Sequence, residues 1–287
     1  MSYWTIKSIL DITTNYLKEK RIENPRLTSE ILLAFVLNYE NRLNLYLDFD
    51  KILTPDEINL YRELIKQRLK GKPIQYITGF AVFYGLKFIV NEKVLIPRPE
   101  TESLVEKVFD LIKKNGIKAP KILDIGTGSG NIIITLAYYF KNGDFFAIDI
   151  SKDALKIAKN NCRNLLDRDI FFINSNLLDP IKNRNFFDII VSNPPYVAFE
   201  EKDILPDEVK LFEPSIALYS KDKGGYHIKN IIDNGLAILK SNGWIAIEIG
   251  EMQKDILSNF LDKKKYISFY FEKDLAGKDR FLFIRKK

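Results

Sequence analysis

From residue 121 onward, short apolar runs alternate with helical patterns, and this alternation constrains the fold more strongly than any other feature. The runs are "KILDIG", "FFAIDI", "IFFINS", "FDIIVS", "GWIAIEIG", "YISFYFEK" and "RFLFIRK". Helical patterns begin near residues 131, 152 and 226, between these runs. Strands that alternate with helices build a largely parallel sheet with right-handed crossovers. The sequence therefore predicts an α/β fold with a doubly wound sheet.

The first 72 residues contain only helical patterns. The clearest is "TPDEINLYRELIKQRLKG", in which Thr54 can cap the helix, Pro55 can occupy its first position and Glu57 can complete a capping box. Gly71 supplies the C-terminal stop. Because no catalytic pattern occurs here, residues 1–72 are predicted to form a small all-helical domain for packing or docking.

Aromatic and β-branched residues dominate the next segment, "PIQYITGFAVFYGLKFIVNEKVLI". With Gly79 and Gly85 as turn residues, this composition predicts a β-hairpin. Residues 73–95 are therefore interpreted as a hairpin connector, and residues 96–287 as the domain that contains the sheet.

Composition narrows the possible functions. One cysteine, Cys162, and one histidine, His227, exclude an internal disulfide and metal centres rich in either residue. The longest apolar stretches, such as residues 132–140, are much shorter than the roughly 20 residues of a membrane span. The N-terminus lacks the basic start and apolar centre of a signal peptide. We therefore expect a cytoplasmic protein, with no bound metal and no membrane association.

The net charge of +6 could indicate a nucleic-acid partner, but the lysines are spread along the chain. The densest cluster, "DKKKY" at 262–266, resembles a solvated surface turn. We expect no stable complex with nucleic acid, although a basic surface would help the protein approach an RNA-associated partner.

The segment "KILDIGTGSGNIIITLA" has the pattern of a strand, a glycine-rich turn and a helix. Gly126, Gly128 and Gly130 permit a tight turn and close approach of a ligand, but Asn131 stands where a dinucleotide-binding loop has its last glycine. Asp149 ends the next strand, where a carboxylate can accept hydrogen bonds from both ribose hydroxyls. The alternative is an ordinary strand, turn and helix with an N-capping aspartate. Together the two features favour a nucleoside ligand.

A second motif, "NPPY", directly follows the β-branched run "IIV" and a serine. Pro194 and Pro195 cannot donate to a β ladder, so they end the strand and hold Asn193 and the neighbouring carbonyls stiffly beyond its carboxyl end. Open α/β sheets bind ligands at that edge. The alternative is a proline-stopped loop without a function.

Together these motifs resemble those of the S-adenosylmethionine-dependent methyltransferases, in which an NPPY sequence occurs in enzymes that methylate planar nitrogens. The resemblance implies S-adenosyl-L-methionine as methyl donor, with Asp149 at its ribose, Leu177 at its adenine and Asn193 also among its contacts. The residues implied at its amino-acid and ribose end are Asp124, Gly126, Thr127, Gly128, Ser129 and Gly130.

The implied chemistry suits an amide or exocyclic-amine target. Such a nitrogen is a poor nucleophile because its lone pair is delocalised, and transfer from a sulfonium requires in-line attack. The Asn193 side-chain oxygen can accept one N–H of the target, and the Pro194 carbonyl, stiffened by Pro195, can accept the other. Tyr196 can pack on the planar group. This arrangement supplies orientation and preorganised electrostatics without a dedicated base.

Further blocks make the resemblance more specific over nearly the whole chain. They are "GKPIQYITG", "FYGLKFIV", "VLIPRPETE", "DIGTGSG", "DIS", "NPPY", "EPSIAL", "EIGEMQ" and "DLAGKDR", in this order. The chain is thereby similar to the protein-(glutamine) methyltransferases, which modify class I peptide chain release factors. The resemblance implies a small helical domain, a hairpin and a seven-stranded Rossmann-like catalytic domain. It also implies methylation of the glutamine in the Gly-Gly-Gln loop of release factors, and we expect a monomer.

Two positions depart from the family pattern. Asn176 stands where an acid is usual, so adenine recognition is expected to rely on the backbone and on apolar contact by Leu177, and Phe212 replaces a tyrosine. Several roles stay open. Arg98 could hold the connector against the sheet or contact the substrate, while Glu248 could shape the substrate pocket or make a structural hydrogen bond. The remaining expectations are a buried ion pair for Glu213 and a surface or packing position for His227.

Two other functions compete with this interpretation. A nucleic-acid amine methyltransferase would share NPPY, but such enzymes usually carry a target-recognition insert or base-flipping loops, and this chain has no large insert. A non-catalytic binding module with the same fold is disfavoured because the glycine loop, Asp149 and Asn193 are all intact.

Overall fold

The computed structural model divides into two compact units, Met1–Gly79 and Phe80–Lys287. It describes residues 3–178, 181, 185–261 and 267–287. The basic cluster at 262–266 lies outside these residues. Within them, no helix combines the length and the apolar character that a bilayer crossing requires.

The first unit is helical, as predicted. Its helices are α1 (Ile6–Glu19), α2 (Pro25–Val36), α3 (Asn44–Leu47), α4 (Pro55–Leu69) and α5 (Ile74–Thr78). The capping box predicted for α4 is confirmed, since the Thr54 N–H donates to Glu57 Oε2 at 2.7 Å and the Glu57 N–H donates to Thr54 Oγ1 at 3.2 Å. Gly71, with a φ of +86°, follows the end of this helix.

The core of this unit is formed by one face each of α1, α2 and α4. Leu10 and Leu33 are completely buried, and Tyr61 is 1% exposed with its hydroxyl donating to the Ser29 carbonyl. Helices of this length are marginal alone, so the buried apolar surface stabilises them.

Helix α5 lies where the sequence interpretation places the start of the hairpin connector. Its residues Ile74 and Ile77 pack against the core of the first unit. Gly79 ends the helix at a φ of +80°, and its N–H donates to the Gln75 carbonyl. Packing of the two isoleucines thus outweighs the β propensity of this segment.

The hairpin itself belongs to the second unit. Strands β1 (Phe80–Phe83) and β2 (Leu86–Ile89) pair antiparallel. Tyr84 and Gly85 connect them with φ angles of +50° and +75°. Two consecutive positive angles are typical of a type I′ turn, whose twist matches that of the flanking strands.

A seven-stranded sheet organises the second unit and confirms the predicted doubly wound α/β fold. Its strands are β3 (Lys121–Ile125), β4 (Asp144–Asp149), β5 (Phe171–Asn174), β6 (Phe187–Ser192), β9 (Leu239–Glu248), β10 (Ile267–Lys273) and β11 (Asp279–Lys286). Their spatial order is β10-β11-β9-β6-β3-β4-β5. β11 runs antiparallel to both of its neighbours, and the other neighbouring pairs are parallel. The strand order reverses at β3, a position where α/β sheets bind ligands.

Helices cover both faces of the sheet. They are α6 (Pro99–Lys114), α7 (Asn131–Tyr139), α8 (Lys152–Leu165), α11 (Tyr226–Ile238) and α12 (Lys254–Leu261). Side chains of α6, α7 and α8 share one apolar cluster with the sheet, and those of α11 and α12 share a second one. The central strands β3 and β6 are buried on both sides, which explains their continuous apolar sequences.

Short elements that the sequence does not reveal follow the NPPY motif. They are β7 (Val197–Ala198), a 3₁₀ helix (Phe199–Ile204), α9 (Asp207–Phe212), α10 (Ser215–Leu218) and β8 (Tyr219–Ser220). β7 pairs in parallel with β8 as a separate two-stranded sheet. Elements of two to six residues are too short to show a hydrophobic period.

Candidate active site

A cavity of about 200 Å³ opens at the carboxyl ends of β3, β4, β5 and β6. The loops that follow these strands supply Gly126, Thr127, Gly128, Ser129, Asp149, Ile150, Ser151, Ser175, Asn176, Leu177, Asn193, Pro194 and Pro195. The residues that the sequence predicts at the cofactor therefore line the same cavity as the first three residues of the NPPY motif. Asp124 and Gly130 are the exceptions and do not line it.

The glycine loop presents backbone to this cavity. Gly126 and Gly128 have φ angles of +72° and +55°, and a Cβ atom on either would meet nothing within 4 Å. Gly130 has a φ of +82° and faces inward, where a Cβ would lie 2.6 Å from Ile134 Cδ1. The first two glycines therefore leave open space for a ligand against the backbone, while the third allows the loop to pack on α7.

Hydrogen bonds fix the conformation of this loop. The N–H groups of Gly126 and Thr127 both donate to the Ile148 carbonyl, at 2.8 and 3.0 Å. Below the loop, Asp124 is fully buried and accepts a hydrogen bond from Thr127 Oγ1 at 2.7 Å. Burial raises the pKa of Asp124 to about 7. Asp124 thus supports the loop and does not line the cavity.

Asn161 on α8 is a support that the sequence analysis missed. Its Nδ2 donates to the Ser129 carbonyl at 2.9 Å and to the Ile89 carbonyl at 3.0 Å, and its Oδ1 accepts from the Ile89 N–H at 2.7 Å. The side chain is 1% exposed. One amide therefore joins the hairpin, α8 and the glycine loop. A polar residue on the apolar face of "ALKIAKNNC" is the signal that could have indicated it.

Asp149 ends β4 with both carboxylate oxygens already partly used. Oδ2 accepts from the Gly128 N–H at 2.9 Å, and Oδ1 accepts from the Ser151 N–H at 2.8 Å. Burial raises the pKa of Asp149, while these two N–H groups oppose that rise. A carboxylate offers about four acceptor sites, so each oxygen keeps one for a ribose hydroxyl.

The loop after β5 forms the next part of the wall. Leu177 adopts a left-handed conformation with a φ of +50°, which is strained for a bulky residue. The Ser175 N–H donates to the Asp149 carbonyl at 3.1 Å, and Asn174 Nδ2 donates to the same carbonyl and to that of Ile150 at 2.9 Å. These contacts fix residues 174 and 175 at the end of β4, and Leu177, two residues further on, lines the cavity.

The NPPY motif begins directly at the end of β6. Ser192 Oγ donates to the Ile125 carbonyl at 2.6 Å and joins the ends of β6 and β3. Asn193, Pro194 and Pro195 line the cavity. Asn193 Nδ2 donates to Thr101 Oγ1 at 3.1 Å, and within the described ranges no residue donates to its Oδ1.

Tyr196 lies behind this wall and does not line the cavity. Its hydroxyl donates to Glu248 Oε1 at 3.2 Å, and its carbonyl accepts from Gln253 Nε2 at 3.1 Å. Gly224, at a φ of +81°, passes so close that a Cβ there would lie 2.0 Å from the Tyr196 carbonyl oxygen. Tyr196 therefore anchors the motif to the sheet, through Glu248 at the end of β9.

Glu248 is the centre of a buried network. One carboxylate oxygen accepts from Thr101 Oγ1 at 2.7 Å, and the other accepts from Tyr196. Burial raises the pKa of Glu248 to about 7 and also raises the pKa of the Tyr196 hydroxyl. Of the two roles left open for Glu248, the structure therefore shows the hydrogen-bonding one. Its partner Thr101 is not indicated by the sequence.

Arg98 and His227 also line the cavity. Arg98 Nη2 lies 2.6 Å from Glu213 Oε1, and the Glu213 side chain is 1% exposed, so the expected ion pair is present. Burial raises the pKa of Glu213, an effect that Arg98 opposes. His227 Nδ1 lies 2.8 Å from Ser220 Oγ, and burial lowers the pKa of its ring. His227 thus lies on the cavity wall, which its sequence context does not reveal.

The cavity has features that suit a nucleoside ligand. Gly126 and Gly128 leave room against exposed backbone, Asp149 keeps free acceptor sites, and Leu177 and Ile150 supply apolar surface. The acceptor sites and the apolar surface therefore suit the ribose and the adenine of S-adenosylmethionine.

Comparisons with known proteins find matches to both compact units. A family profile described as the PrmC N-terminal domain matches residues 8–79, and one described as a methyltransferase domain matches residues 118–273. A release factor glutamine methyltransferase of Rhodopirellula baltica is 37% identical over 99% of this chain and 97% of its own length. One of Koribacter versatilis is 39% identical over 98% and 99% of the two chains.

A solved structure supports the fold independently. A methyltransferase from Pyrococcus furiosus is 18% identical and covers 72% of this chain and 91% of its own, with a TM-score of 0.51. At this identity the likeness concerns the fold of the catalytic domain alone.

Proposed function

The chain belongs to the release factor glutamine methyltransferase family, and from this we propose that it methylates the side-chain amide of the glutamine in the Gly-Gly-Gln loop of class I peptide chain release factors. S-adenosyl-L-methionine is the methyl donor. The single observation that carries the residue-level proposal is the position of Asn193, on the cavity wall with Nδ2 bonded away to Thr101.

The chain holds the cofactor through three groups of residues. Gly126, Thr127, Gly128, Ser129 and Gly130 form the loop around its amino-acid end and ribose. Asp149 accepts hydrogen bonds from the ribose hydroxyls through the acceptor sites that Gly128 and Ser151 leave free. Leu177 packs on the adenine, and the bound cofactor supplies an electrophilic methyl group.

Asn193 and Pro194 orient the substrate. Asn193 Oδ1 accepts one N–H of the glutamine amide, and the Pro194 carbonyl accepts the other. Two acceptors on one NH₂ group fix its plane and stabilise the positive charge that develops on the nitrogen as the methyl arrives. Pro195 restricts the backbone conformation of Pro194, so this carbonyl needs little reorganisation.

Tyr196 contributes from outside the cavity. Since its hydroxyl and carbonyl are bonded to Glu248 and Gln253, we assign it to holding the motif in place, where the sequence interpretation had it packing on the substrate. After transfer the methylated nitrogen carries a positive charge and is strongly acidic, so it loses one proton to water and a dedicated base is not required.

The remaining assignments follow from the substrate. A release factor of the translation machinery is met in the cytoplasm, and we propose a monomeric enzyme there. A net charge of +6 favours approach to an RNA-associated partner through long-range electrostatics.

The proposal is tested by incubating the purified full chain with S-adenosylmethionine and a class I release factor, followed by mass spectrometry of the Gly-Gly-Gln peptide. We expect one added methyl group on the glutamine, and none on a factor whose glutamine is replaced by alanine. An unmodified glutamine, with methyl transfer to added nucleic acid, would contradict the proposal and favour an amine methyltransferase of nucleic acids.

A further inference from the structure

Three residues from distant parts of the sequence form one directed chain of hydrogen bonds. Asn193 Nδ2 lies 3.1 Å from Thr101 Oγ1, and Thr101 Oγ1 lies 2.7 Å from Glu248 Oε2. Thr101 is 1% exposed and Glu248 is 1% exposed, so water does not compete for these contacts.

The buried Glu248 sets the direction of donation in this series of hydrogen bonds. Above about pH 7 Glu248 is ionised. Because an ionised carboxylate only accepts hydrogen bonds, the Thr101 hydroxyl must then donate its one proton to Glu248. The Thr101 oxygen can then only accept from Asn193, and only the NH₂ end of the Asn193 amide can satisfy it. The two ends of an asparagine amide are nearly identical in shape, and hydrogen-bond partners alone distinguish them.

We propose that Thr101 and Glu248 are positioning residues that select the orientation of the Asn193 amide and thereby leave Oδ1 as the free acceptor for the substrate. The proposal rests on the proposed function, because it assigns Oδ1 to the glutamine N–H. With the opposite orientation, Asn193 would present an NH₂ group to the substrate NH₂, and two donors would repel each other.

The second oxygen of Glu248 reinforces this arrangement. Tyr196 donates to it at 3.2 Å, so both acceptors of the carboxylate face hydroxyl donors. The charged or titratable groups that act on Glu248 are Glu100 on α6, Tyr196 after β6 and Arg280 on β11. Arg280 itself donates to Asp274 and to the Ile249 carbonyl, so in the described part of the chain no cation is bonded to Glu248.

Removal of the Thr101 hydroxyl is the first test. In Thr101→Val we expect kcat for release factor methylation to fall about tenfold, the effect of one lost hydrogen bond that fixes an orientation. The Kd for S-adenosylmethionine should be unchanged. Thr101→Ser keeps the hydroxyl and should recover most of the turnover.

Thr135→Val is the matched control. Thr135 is a fully buried threonine of the same domain, on α7, and its hydroxyl has no hydrogen-bond partner among the described residues. Its replacement should leave kcat at the wild-type value. Equal kcat for Thr101→Val and the wild type would overturn the proposal.

Reversal of the direction of these hydrogen bonds is the sharper test, because loss of packing alone would not predict its result. Asn193→Asp places a carboxylate oxygen against the Thr101 oxygen, whose only proton is given to Glu248. In the double variant Asn193→Asp, Glu248→Gln, the amide introduced at position 248 can donate to Thr101, which can then donate to the aspartate. We expect the double variant to exceed Asn193→Asp in kcat by about fivefold or more, the order of one restored hydrogen bond.

Circular dichroism of each variant establishes that it is folded. The wild-type reaction distinguishes a failure of the proposed function from a failure of the positioning role. A wild-type enzyme that does not methylate the Gly-Gly-Gln glutamine contradicts the proposed function. A wild type that does so, together with a double variant no faster than Asn193→Asp, contradicts the positioning role alone.

Discussion

At the scale of single residues, Asn193 and Asp149 present acceptor atoms to the cavity, and Thr101 and Asn161 hold neighbouring groups in place through hydrogen bonds. Asn193 and Asp149 belong to short motifs with local geometry, a strand followed by a turn, so their position at the sheet edge can be predicted. Thr101 and Asn161 act through contacts 92 and 72 residues away along the chain. Pairings at such separations depend on the whole topology, which a single sequence does not specify.

The raised pKa of Glu248 gives a prediction about pH. Burial moves this pKa from its ordinary value of 4.5 to about 7, so the carboxylate that directs Thr101 forms only as the pH rises through about 7. The ratio of kcat between the wild type and Glu248→Gln should therefore increase across this range. Asp124 also has a pKa of about 7. Because it is present in both proteins, the effect of its titration on kcat cancels in the ratio.

The stability of the wild type relative to Glu248→Gln should fall as the pH rises, whereas the kcat ratio increases. A carboxyl whose pKa is raised in the folded state favours folding below its unfolded pKa, and this contribution is lost as the pH rises towards the folded value. The free energy of unfolding of the wild type, relative to Glu248→Gln, should therefore decline between about pH 4.5 and 7. A pH-independent difference in urea unfolding, with a pH-independent kcat ratio, would show that Glu248 does not titrate in this range.

At the scale of secondary-structure elements, long periodic segments are predictable and short ones are not. The helices predicted from residues 131 and 152 begin at Asn131 and Lys152, because a glycine turn and a serine cap mark their starts. Helix α5 and the short strands after NPPY depend on tertiary packing and were not predicted. The glycine loop, α8 and the hairpin are joined through Asn161, so support of the cofactor loop is a property of several elements.

Replacement of Asn161 tests this support. Asn161→Ala removes three hydrogen bonds and leaves the Ile89 N–H and two carbonyls without that partner, which should lower the free energy of unfolding by about 3 kcal/mol. Affinity for S-adenosylmethionine should fall as well, because the Ser129 carbonyl is no longer held. Asn160→Ala, at an exposed position of the same helix, is the control. Equal effects of the two substitutions in denaturant titrations and calorimetry would refute the role of Asn161.

At the scale of the whole molecule, the two compact units have separate cores. The apolar cluster of the first unit ends at Ile77, and the clusters of the second unit begin at Phe83. Every residue that lines the cavity lies between Lys93 and Ile231, in the second unit. We propose that the helical unit binds parts of the release factor outside the Gly-Gly-Gln loop.

Deletion of residues 1–79 should therefore affect methylation of the whole release factor more than binding of S-adenosylmethionine. We expect the remaining unit to bind S-adenosylmethionine with nearly unchanged affinity, since the cavity residues are all retained. Methylation of the whole release factor should fall more than methylation of a short peptide that contains Gly-Gly-Gln. Equal losses of kcat/KM on both substrates would indicate that the helical unit stabilises the enzyme and does not bind the partner.

The central claim is that Asn193 orients the target amide, and the turnover of Asn193→Ala tests it most directly. Loss of an oriented electrostatic partner should lower the single-turnover rate on the release factor by about a hundredfold or more, while the Kd for S-adenosylmethionine changes much less. The rate is measured with saturating cofactor and enzyme, by mass spectrometry of the Gly-Gly-Gln peptide. A folded Asn193→Ala enzyme that methylates the glutamine at the wild-type rate would contradict the account.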